Sequence, residues 1–190
     1  MTTDNLDAAL IRDARAGLSG AQRALVERYR ETVYRLARSA TGDPEEAFDI
    51  AQETFVAAFG ALNRYDPERP FKAWISAITL NKCRDWARRR AVRRFVGLPM
   101  PDHTADLIAD DAPSAETLAA DRAELAATAR AIAELPSKLK DVLILCTVEG
   151  LSQQEAATTL GISVKAVETR LSRARQKLVG ILRGGPDARV

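Results

Sequence analysis

Basic side chains are concentrated in two stretches of this chain, and both stretches have the composition of a nucleic-acid contact. In the first stretch, seven basic residues accompany a single acidic residue, Asp85. Dense arginine suits phosphate groups, and Trp86 in the same stretch suits stacking on a base. A face that only keeps a protein in solution normally mixes both charge signs, so we favour nucleic acid. The seven bases are Lys82, Arg84, Arg88, Arg89, Arg90, Arg93 and Arg94.

The second basic stretch lies within residues 151–178, which predict two helices joined by a tight turn. Ser152 and Glu155 have the spacing of a capping box, and Gly161 suits the left-handed residue that ends a helix. Ser163 then caps a second helix with one apolar stripe. The stripe consists of Val164, Val167, Leu171, Ala174 and Leu178. This is the pattern of a helix-turn-helix, whose second helix enters the DNA major groove; an ordinary helical hairpin with a charged surface is the alternative.

With that stripe buried, the other side of the second helix is free to meet DNA. Base edges are read near the start of such a helix, which favours Lys165, Glu168 and Thr169. A carboxylate among phosphates is unfavourable unless it accepts from a cytosine amine or orients an arginine, so Glu168 is the most informative residue. Arg173 and Arg175 lie further along and are expected to hold phosphates or to pack across the domain. The full outward set is Lys165, Ala166, Glu168, Thr169, Arg170, Ser172, Arg173 and Gln176.

A third surface is predicted on the helix that starts after Asp43. Asp49, Gln52, Glu53 and Val56 recur at i, i+3, i+4 and i+7, so they share one side of that helix. A solvated face is the ordinary explanation of such a stripe, and a docking surface for another protein is the alternative.

These residues must be positioned by helices, because apolar side chains recur at spacings of three and four and few strand-like alternations occur. A short first helix carries Leu6, Leu10 and Ile11 and ends near Gly17. A polar loop with two prolines, residues 63–70, offers amide, guanidinium and aromatic groups and suits a flexible recognition loop. The other predicted helices cover residues 21–40, 44–62, 71–94, 137–148 and the two of the helix-turn-helix.

An acidic segment divides the chain. Residues 97–121 hold six acids and no Lys or Arg, and three prolines, Pro99, Pro101 and Pro113, keep much of the segment from becoming helix. We therefore expect an all-α fold with an N-terminal helical domain over residues 1–96, a flexible linker over 97–121 and a C-terminal domain over 122–190.

The remaining composition argues against several other classes of protein. Cys83 and Cys146 stand alone, and His103 is the only histidine, so we expect neither a metal site nor a cofactor. No apolar run is long enough to cross a membrane, and the polar N-terminus lacks the pattern of a secretion signal, which leads us to expect a cytoplasmic protein.

Taken in order, these motifs resemble those of the extracytoplasmic-function (ECF) sigma factors, the small two-domain sigma factors of bacterial RNA polymerase. Each motif alone is modestly specific, while their order and spacing together are highly specific. The N-terminal motifs are residues 42–55 (GDPEEAFDIAQETF), 66–74 (DPERPFKAW) and 81–90 (NKCRDWARRR). The C-terminal motifs are residues 135–136 (LP), 149–152 (EGLS) and 170–178 (RLSRARQKL).

The resemblance gives each surface a role. It implies that Asp49, Gln52, Glu53 and Val56 grip a coiled coil on the polymerase β′ subunit. It implies that the minus-ten promoter element is captured as it melts by Asn63, Arg64, Tyr65, Trp74, Asn81, Arg84, Arg88 and Arg89. The minus-thirty-five element would be read by Ser163, Lys165, Ala166, Glu168, Thr169, Arg170, Arg173 and Arg175. By the same resemblance, the acidic segment would run through the polymerase towards its active-site cleft or RNA exit path.

Two positions depart from the family pattern. Lys165 and Glu168 stand where many members have Gly and Lys, so the base preferences of the commonest members should not apply. Phe48 replaces a commonly acidic neighbour of Asp49.

The resulting expectation is a dissociable specificity subunit rather than an enzyme, with core polymerase, promoter DNA and an anti-sigma factor as partners. A stand-alone helix-turn-helix regulator is the first alternative, but it leaves the Asp49 face unused. A small nuclease is the second, and no cluster of carboxylates and histidines favours it.

Overall fold

A computed structural model of the chain describes residues 3–96 and 127–184, and all regular secondary structure in these residues is helical. The N-terminal domain contains α1 (Thr3–Arg15), α2 (Ser19–Thr41), α3 (Pro44–Ala61) and α4 (Phe71–Val96). A 3₁₀ turn, Leu62–Arg64, follows α3 and leads into the loop before α4. The four helices agree with those predicted from apolar spacing, with ends shifted by a few residues.

The C-terminal domain begins, in the described residues, with helix α5 over 127–134. It continues with α6 (Ser137–Leu143), a π-helical turn (Ile144–Val148), α7 (Gln153–Leu160) and α8 (Val164–Leu182). The helix predicted over 137–148 therefore changes type part-way, because the backbone N–H of Glu149 donates to the carbonyl of Ile144, five residues earlier. The acidic segment 97–121 and its expected flexibility lie outside the described residues.

The α2–α3 corner shows why the sequence breaks its helices where it does. Gly42 has a φ of 76°, the left-handed region that side chains avoid, and its N–H closes α2 on Arg38. The Asp43 side chain then accepts from the backbone N–H groups of Glu45 and Glu46, which satisfies two free donors at the start of α3. These local bonds fix the angle at which α3 leaves α2.

The core of the N-terminal domain lies between α2, α3 and α4. On the inner side of α3 the buried residues are Ala47, Ile50, Ala51, Thr54 and Ala58. A buried threonine is tolerated because its hydroxyl donates to the Ile50 carbonyl of the preceding turn. The predicted α8 stripe requires one correction. Val164 is exposed in the first turn of α8, whereas Val167, Leu171 and Ala174 are buried as expected.

The two domains also pack on each other. One apolar cluster contains residues from α2, α3 and α4 together with residues from α5 to α8. Helix α4 lies against α7, and α2 lies against the π-helical turn. The apolar spacing of single helices gives no sign of this contact.

Candidate polymerase and nucleic-acid interfaces

The four residues of the predicted docking stripe lie together on the surface of α3. Asp49, Gln52, Glu53 and Val56 line one open depression of about 430 Å³ together with Ala57 and Lys82. Val56 is 75% exposed, which is unusual for a valine in a helix whose opposite side is core. Phe48 is also exposed on α3. The face therefore combines two acids with one uncovered apolar side chain, Val56, and its use as a docking surface stays a prediction.

Glu53 connects this face to the basic helix α4. Its carboxylate lies 3.2 Å from the Lys82 ammonium and 4.0 Å from the Arg89 guanidinium. All three side chains are partly or largely exposed, so each pair contributes little stability. The pairs place the predicted docking face beside Arg89, one of the residues predicted to meet the minus-ten element.

The loop predicted to recognise nucleic acid is anchored by an aromatic cluster. Asn63 and Arg64 are exposed, as a contact residue requires. Tyr65 is only 6% exposed, and its ring packs edge-on against Phe71 and Trp74. In this arrangement the Tyr65 ring anchors the loop to the core and is not exposed to a base. Its direct contact with DNA stays a prediction.

Arg15 of α1 braces the same loop. Its guanidinium donates to the carbonyls of Leu62 and Tyr65 and lies over the Tyr65 ring. Sequence reasoning missed this contact, because Arg15 is 47 residues from Leu62 and no local pattern marks it. Helix α1 thus positions the loop without belonging to the predicted site.

The predicted minus-ten residues on α4 meet different surroundings. Arg88 is exposed and pairs with Asp85 one turn away at 2.5 Å. Arg84 donates to the Asn81 amide oxygen at 2.6 Å, and its Nε lies 2.7 Å from the Asp141 carboxylate of the C-terminal domain. Arg88 and Arg89 therefore face solvent, while Arg84 is engaged by the other domain.

Trp86 does not stand free on this face. It packs against the apolar cluster shared by the two domains, and the Arg90 guanidinium lies 5.1 Å above its ring. The stacking surface that the sequence predicts at Trp86 is covered by Arg90 in this arrangement.

The helix-turn-helix is built by the caps that the sequence predicts. Ser152 and Glu155 form a reciprocal capping box at the start of α7, and Gly161 ends α7 with a φ of 64°. Ser163 accepts from the Ala166 backbone N–H and caps α8. The Ser163 hydroxyl is therefore used to cap α8, although the residue is exposed to solvent.

The start of α8 presents the residues predicted to read bases. Lys165, Glu168 and Thr169 are exposed, and the Lys165 ammonium lies 3.0 Å from the Glu168 carboxylate. Ala166 is half-buried beside them. Arg173 and Arg175 are exposed further along, whereas Arg170 is half-buried and close enough to Asp141 to favour its charged form. The outward set thus lies on one exposed side of α8, with Arg170 turned towards α6.

Comparison with known proteins decides the family. The family model described as sigma-70 region 2 matches residues 25–93, and the model described as sigma-70 region 4 matches residues 125–178. Two relatives described as ECF RNA polymerase sigma factors are each 34% identical to this chain, over 81% and 94% of its length. The chain belongs to the ECF sigma factors.

Individual relatives agree with this assignment. The chain is 42% identical over 188 residues to the RNA polymerase sigma factor CnrH of Cupriavidus metallidurans, covering 96% of this chain and 97% of the relative. It is 34% identical to the ECF RNA polymerase sigma factor SigD of Mycobacterium tuberculosis, covering 94% of this chain and 84% of that one. The solved structure of CnrH in complex with the cytosolic domain of CnrY superposes with a TM-score of 0.67 at 38% identity, covering 94% and 98% of the two chains.

This sigma factor has a polar boundary between its domains that sequence reasoning missed. Lys140, Asp141 and Glu149 of the C-terminal domain are all buried, although charged residues rarely are. Burial raises the pKa of Asp141, and the neighbouring Arg84 is the strongest influence opposing that rise. Burial lowers the pKa of Lys140. The available signal was that Lys140 and Asp141 stand together between apolar residues, and that Glu149 directly follows the same apolar run.

Neither cysteine of the sigma factor is in a disulfide. Cys83 is buried at the domain boundary, and burial raises its pKa to about 12. Cys146 is half-buried. In the part of the chain that the structure describes, no group of three or more His, Cys, Asp or Glu is arranged to hold a metal ion. No described helix is both long and apolar enough to span a bilayer.

Proposed function

We propose that this chain is a dissociable specificity subunit that binds core RNA polymerase, directs it to two-part promoters and assists their melting. The main support is that one chain combines three features: an acidic face on α3 with an exposed valine, a basic helix α4 and a capped helix-turn-helix. Their order follows the two sigma-70 regions matched in it. The polymerase performs the chemistry, so the chain itself acts as an initiation factor and not as an enzyme, in the cytoplasm where the polymerase works.

The α3 face is proposed to dock the polymerase. Asp49 and Gln52 are exposed, and Val56 adds an exposed apolar side chain to the same face. A basic partner surface, such as the β′ coiled coil that the family resemblance implies, would complement the acids and cover Val56 and Phe48.

Promoter reading is proposed to be divided between the two domains. Arg64, Arg88 and Arg89 would hold the melted minus-ten strand, while the exposed start of α8 would read the minus-thirty-five element in the major groove. The Lys165–Glu168 pair gives α8 a donor and an acceptor side by side. The base preference should therefore differ from that of an all-basic reading helix.

Control by an anti-sigma factor is part of the proposal. A relative 38% identical in the aligned part has been solved in complex with the cytosolic domain of CnrY. We propose that a comparable partner restrains this chain. The partner can be sought by a two-hybrid screen of the source genome, and a genuine anti-sigma factor must then also suppress transcription in the purified system.

The test of the main proposal is reconstituted transcription. Core polymerase with and without the chain is given fragmented genomic DNA, and the 5′ ends of the transcripts are sequenced. We expect new start sites that share two upstream elements and that disappear with the Asp49→Arg variant. Binding of duplex DNA by the chain alone, with no effect on polymerase, would instead favour a stand-alone helix-turn-helix regulator.

A further inference from the structure

The loop predicted to recognise nucleic acid meets α1 through one arginine. Arg15 donates from Nε to the Leu62 carbonyl at 3.0 Å and from Nη2 to the Tyr65 carbonyl. Asn63 and Arg64 are the two residues between these carbonyls, and both are exposed. Both are also predicted to contact the minus-ten element. A single guanidinium therefore holds the backbone on either side of two proposed promoter contacts.

Tyr65 extends this hold to the far end of the loop. The Arg15 guanidinium lies 5.8 Å from the centre of the Tyr65 ring, within the range of a cation–π contact. The Tyr65 hydroxyl donates to the Arg69 carbonyl, and the Arg69 backbone N–H donates to the Asp66 carbonyl at 3.1 Å. The loop is thus closed by its own hydrogen bonds and joined to α1 by Arg15.

Open space separates α1 from much of the loop. A cavity of about 480 Å³ lies between them. Its walls include Ala8, Ile11 and Arg12 of α1 and Pro67, Glu68 and Arg69 of the loop. Because side chains do not pack closely across this space, the directed bonds of Arg15 take over the task of holding the loop in place relative to α1.

Helix α1 is itself fixed on α2. The Asp7 carboxylate is buried, accepts from the Tyr29 hydroxyl and lies 2.9 Å from the Arg28 guanidinium. Burial and the hydrogen bond to Asp7 raise the pKa of Tyr29, so the phenol remains protonated and keeps donating. Ile11 and Ala14 are buried one and two turns further along α1. The helix that braces the loop is therefore anchored to the core along its length.

The brace connects two parts of the chain that the family comparison separates. The model described as sigma-70 region 2 begins at residue 25, so its match contains the loop but not α1. The roles that the family resemblance assigns to the loop therefore do not include Arg15.

We infer that Arg15 is a positioning residue for promoter recognition: it fixes the direction in which Asn63 and Arg64 are presented to the minus-ten element. The inference rests on the proposed function for the role of these two residues. A loop held in one conformation discriminates between bases, because a loop that adapts can meet several bases about equally well. A loop that is already ordered also loses less entropy when it binds. Arg15 acts through the backbone of the loop and does not have to contact DNA.

A purely structural role of Arg15 is the alternative. In that case Arg15 would stabilise the folded domain, and its loss would lower every activity of the chain in proportion. The two roles differ in one measurable respect, because only positioning changes which minus-ten sequences are preferred.

The test removes the brace and leaves the rest of α1 intact. Arg15→Ala deletes both bonds to the loop, and because Arg15 is exposed the change opens no hole in the core. Arg12→Ala is the matched control, since it removes the same kind of side chain about one turn earlier, from the wall of the same cavity. The Arg12 side chain is 77% exposed and pairs with the neighbouring Asp13 at 3.3 Å. Circular dichroism melts establish that both variants are folded.

Hydrogen exchange of the free chain measures the brace without polymerase. The peptide spanning residues 62–69 contains backbone N–H groups that donate to acceptors within the same segment. Mass spectrometry should show at least about threefold faster exchange of this peptide in Arg15→Ala than in Arg12→Ala. Threefold corresponds to the lower end of what one hydrogen bond contributes. Equal rates in the two folded variants would mean that Arg15 does not hold the loop, and the inference would be wrong.

Reconstituted transcription measures what the loop reads. Core polymerase with each variant transcribes promoters randomised in the minus-ten element and, as a reference, promoters randomised in the minus-thirty-five element. Arg15→Ala should weaken the discrimination among minus-ten sequences by about three- to tenfold, no more than one base pair typically contributes. It should leave the minus-thirty-five ranking unchanged, and Arg12→Ala should change neither ranking. An even loss of transcription with an unchanged minus-ten ranking would overturn the inference in favour of a structural role.

A combined variant tests whether Arg15 acts through the two loop residues. In an Asn63→Ala/Arg64→Ala background, adding Arg15→Ala should change the minus-ten ranking no further, because the side chains that it positions are gone. A further change of the same size in that background would refute the inference. Failure of the wild-type chain to bind core polymerase and initiate transcription would count against the proposed function instead, while the exchange rates still test the brace.

Discussion

Glu168 is an acidic residue on a helix surface whose other charged residues are basic, and it is paired with Lys165. Changing Glu168 to Ala removes an acceptor for a cytosine amine and frees Lys165 to meet phosphate or base. We expect a changed preference for the upstream element, by about 1–3 kcal/mol per affected base pair. Transcription from a randomised upstream-element library measures this. Arg173→Ala is the control and should lower all promoters more evenly, whereas an unchanged ranking in Glu168→Ala would remove Glu168 from readout.

Asp43 acts on stability through two backbone hydrogen bonds. Asp43→Ala leaves the N–H groups of Glu45 and Glu46 without their acceptor, so we expect the free energy of unfolding to fall by about 1 kcal/mol. Denaturant titration measures the change. Asp49→Ala on the same helix is the control, because Asp49 is exposed and caps nothing. Equal effects of the two variants would mean that the cap adds nothing beyond the loss of a carboxylate.

At the scale of elements, local chemistry predicts the helices well. The caps at Asp43, Ser152 and Ser163 and the left-handed glycines act within a few residues, so their spacing is visible in the sequence. The π-helical turn was not predicted, because apolar spacing does not distinguish an α-helix from a single wider turn.

The contacts between elements escaped sequence reasoning for a physical reason. Arg35 and Glu149 are 114 residues apart, and Arg84 and Asp141 are 57 apart. Nothing in the periodicity of one helix indicates which distant helix its charged residues meet. The basic residues of α4 lie on a helix as expected, and their contact with DNA stays a prediction. The engagement of Arg84 by the other domain was not foreseen.

Helix α3 divides its two sides between folding and docking. Asp49→Arg changes only the exposed side, so the chain should keep its helical content and melting temperature. Its affinity for core polymerase should fall by a few kcal/mol, because an interfacial acid loses its partner and becomes a repulsion. Pull-down with core polymerase measures this. Arg30→Glu changes an exposed residue of another helix, α2, and should bind core polymerase normally. Wild-type affinity of the Asp49→Arg variant would show that polymerase docks elsewhere.

At the scale of the whole molecule, the packed inter-domain interface predicts that the two domains stay associated after the chain between them is cut. A specific protease site inserted within residues 97–121 allows the covalent connection to be removed without touching either domain. In the intact chain the two domains are covalently joined, which favours their contact over that of two separate molecules, and cleavage removes that advantage. The shared apolar cluster and the Arg35–Glu149 pair remain.

We expect the cleaved wild-type fragments to elute together from a sizing column at the volume of the uncut chain. Arg35→Glu should elute as two separate fragments after cleavage, because one charged bond is lost and a repulsion replaces it at a buried carboxylate. Arg30→Glu should behave as wild type. Separation of the wild-type fragments as soon as they are cut would mean that the tether, and not the packed interface, keeps the domains together. In that case Arg84 would already be free in solution for most of the time, and the polymerase would have no domain contact to break before it reads a promoter.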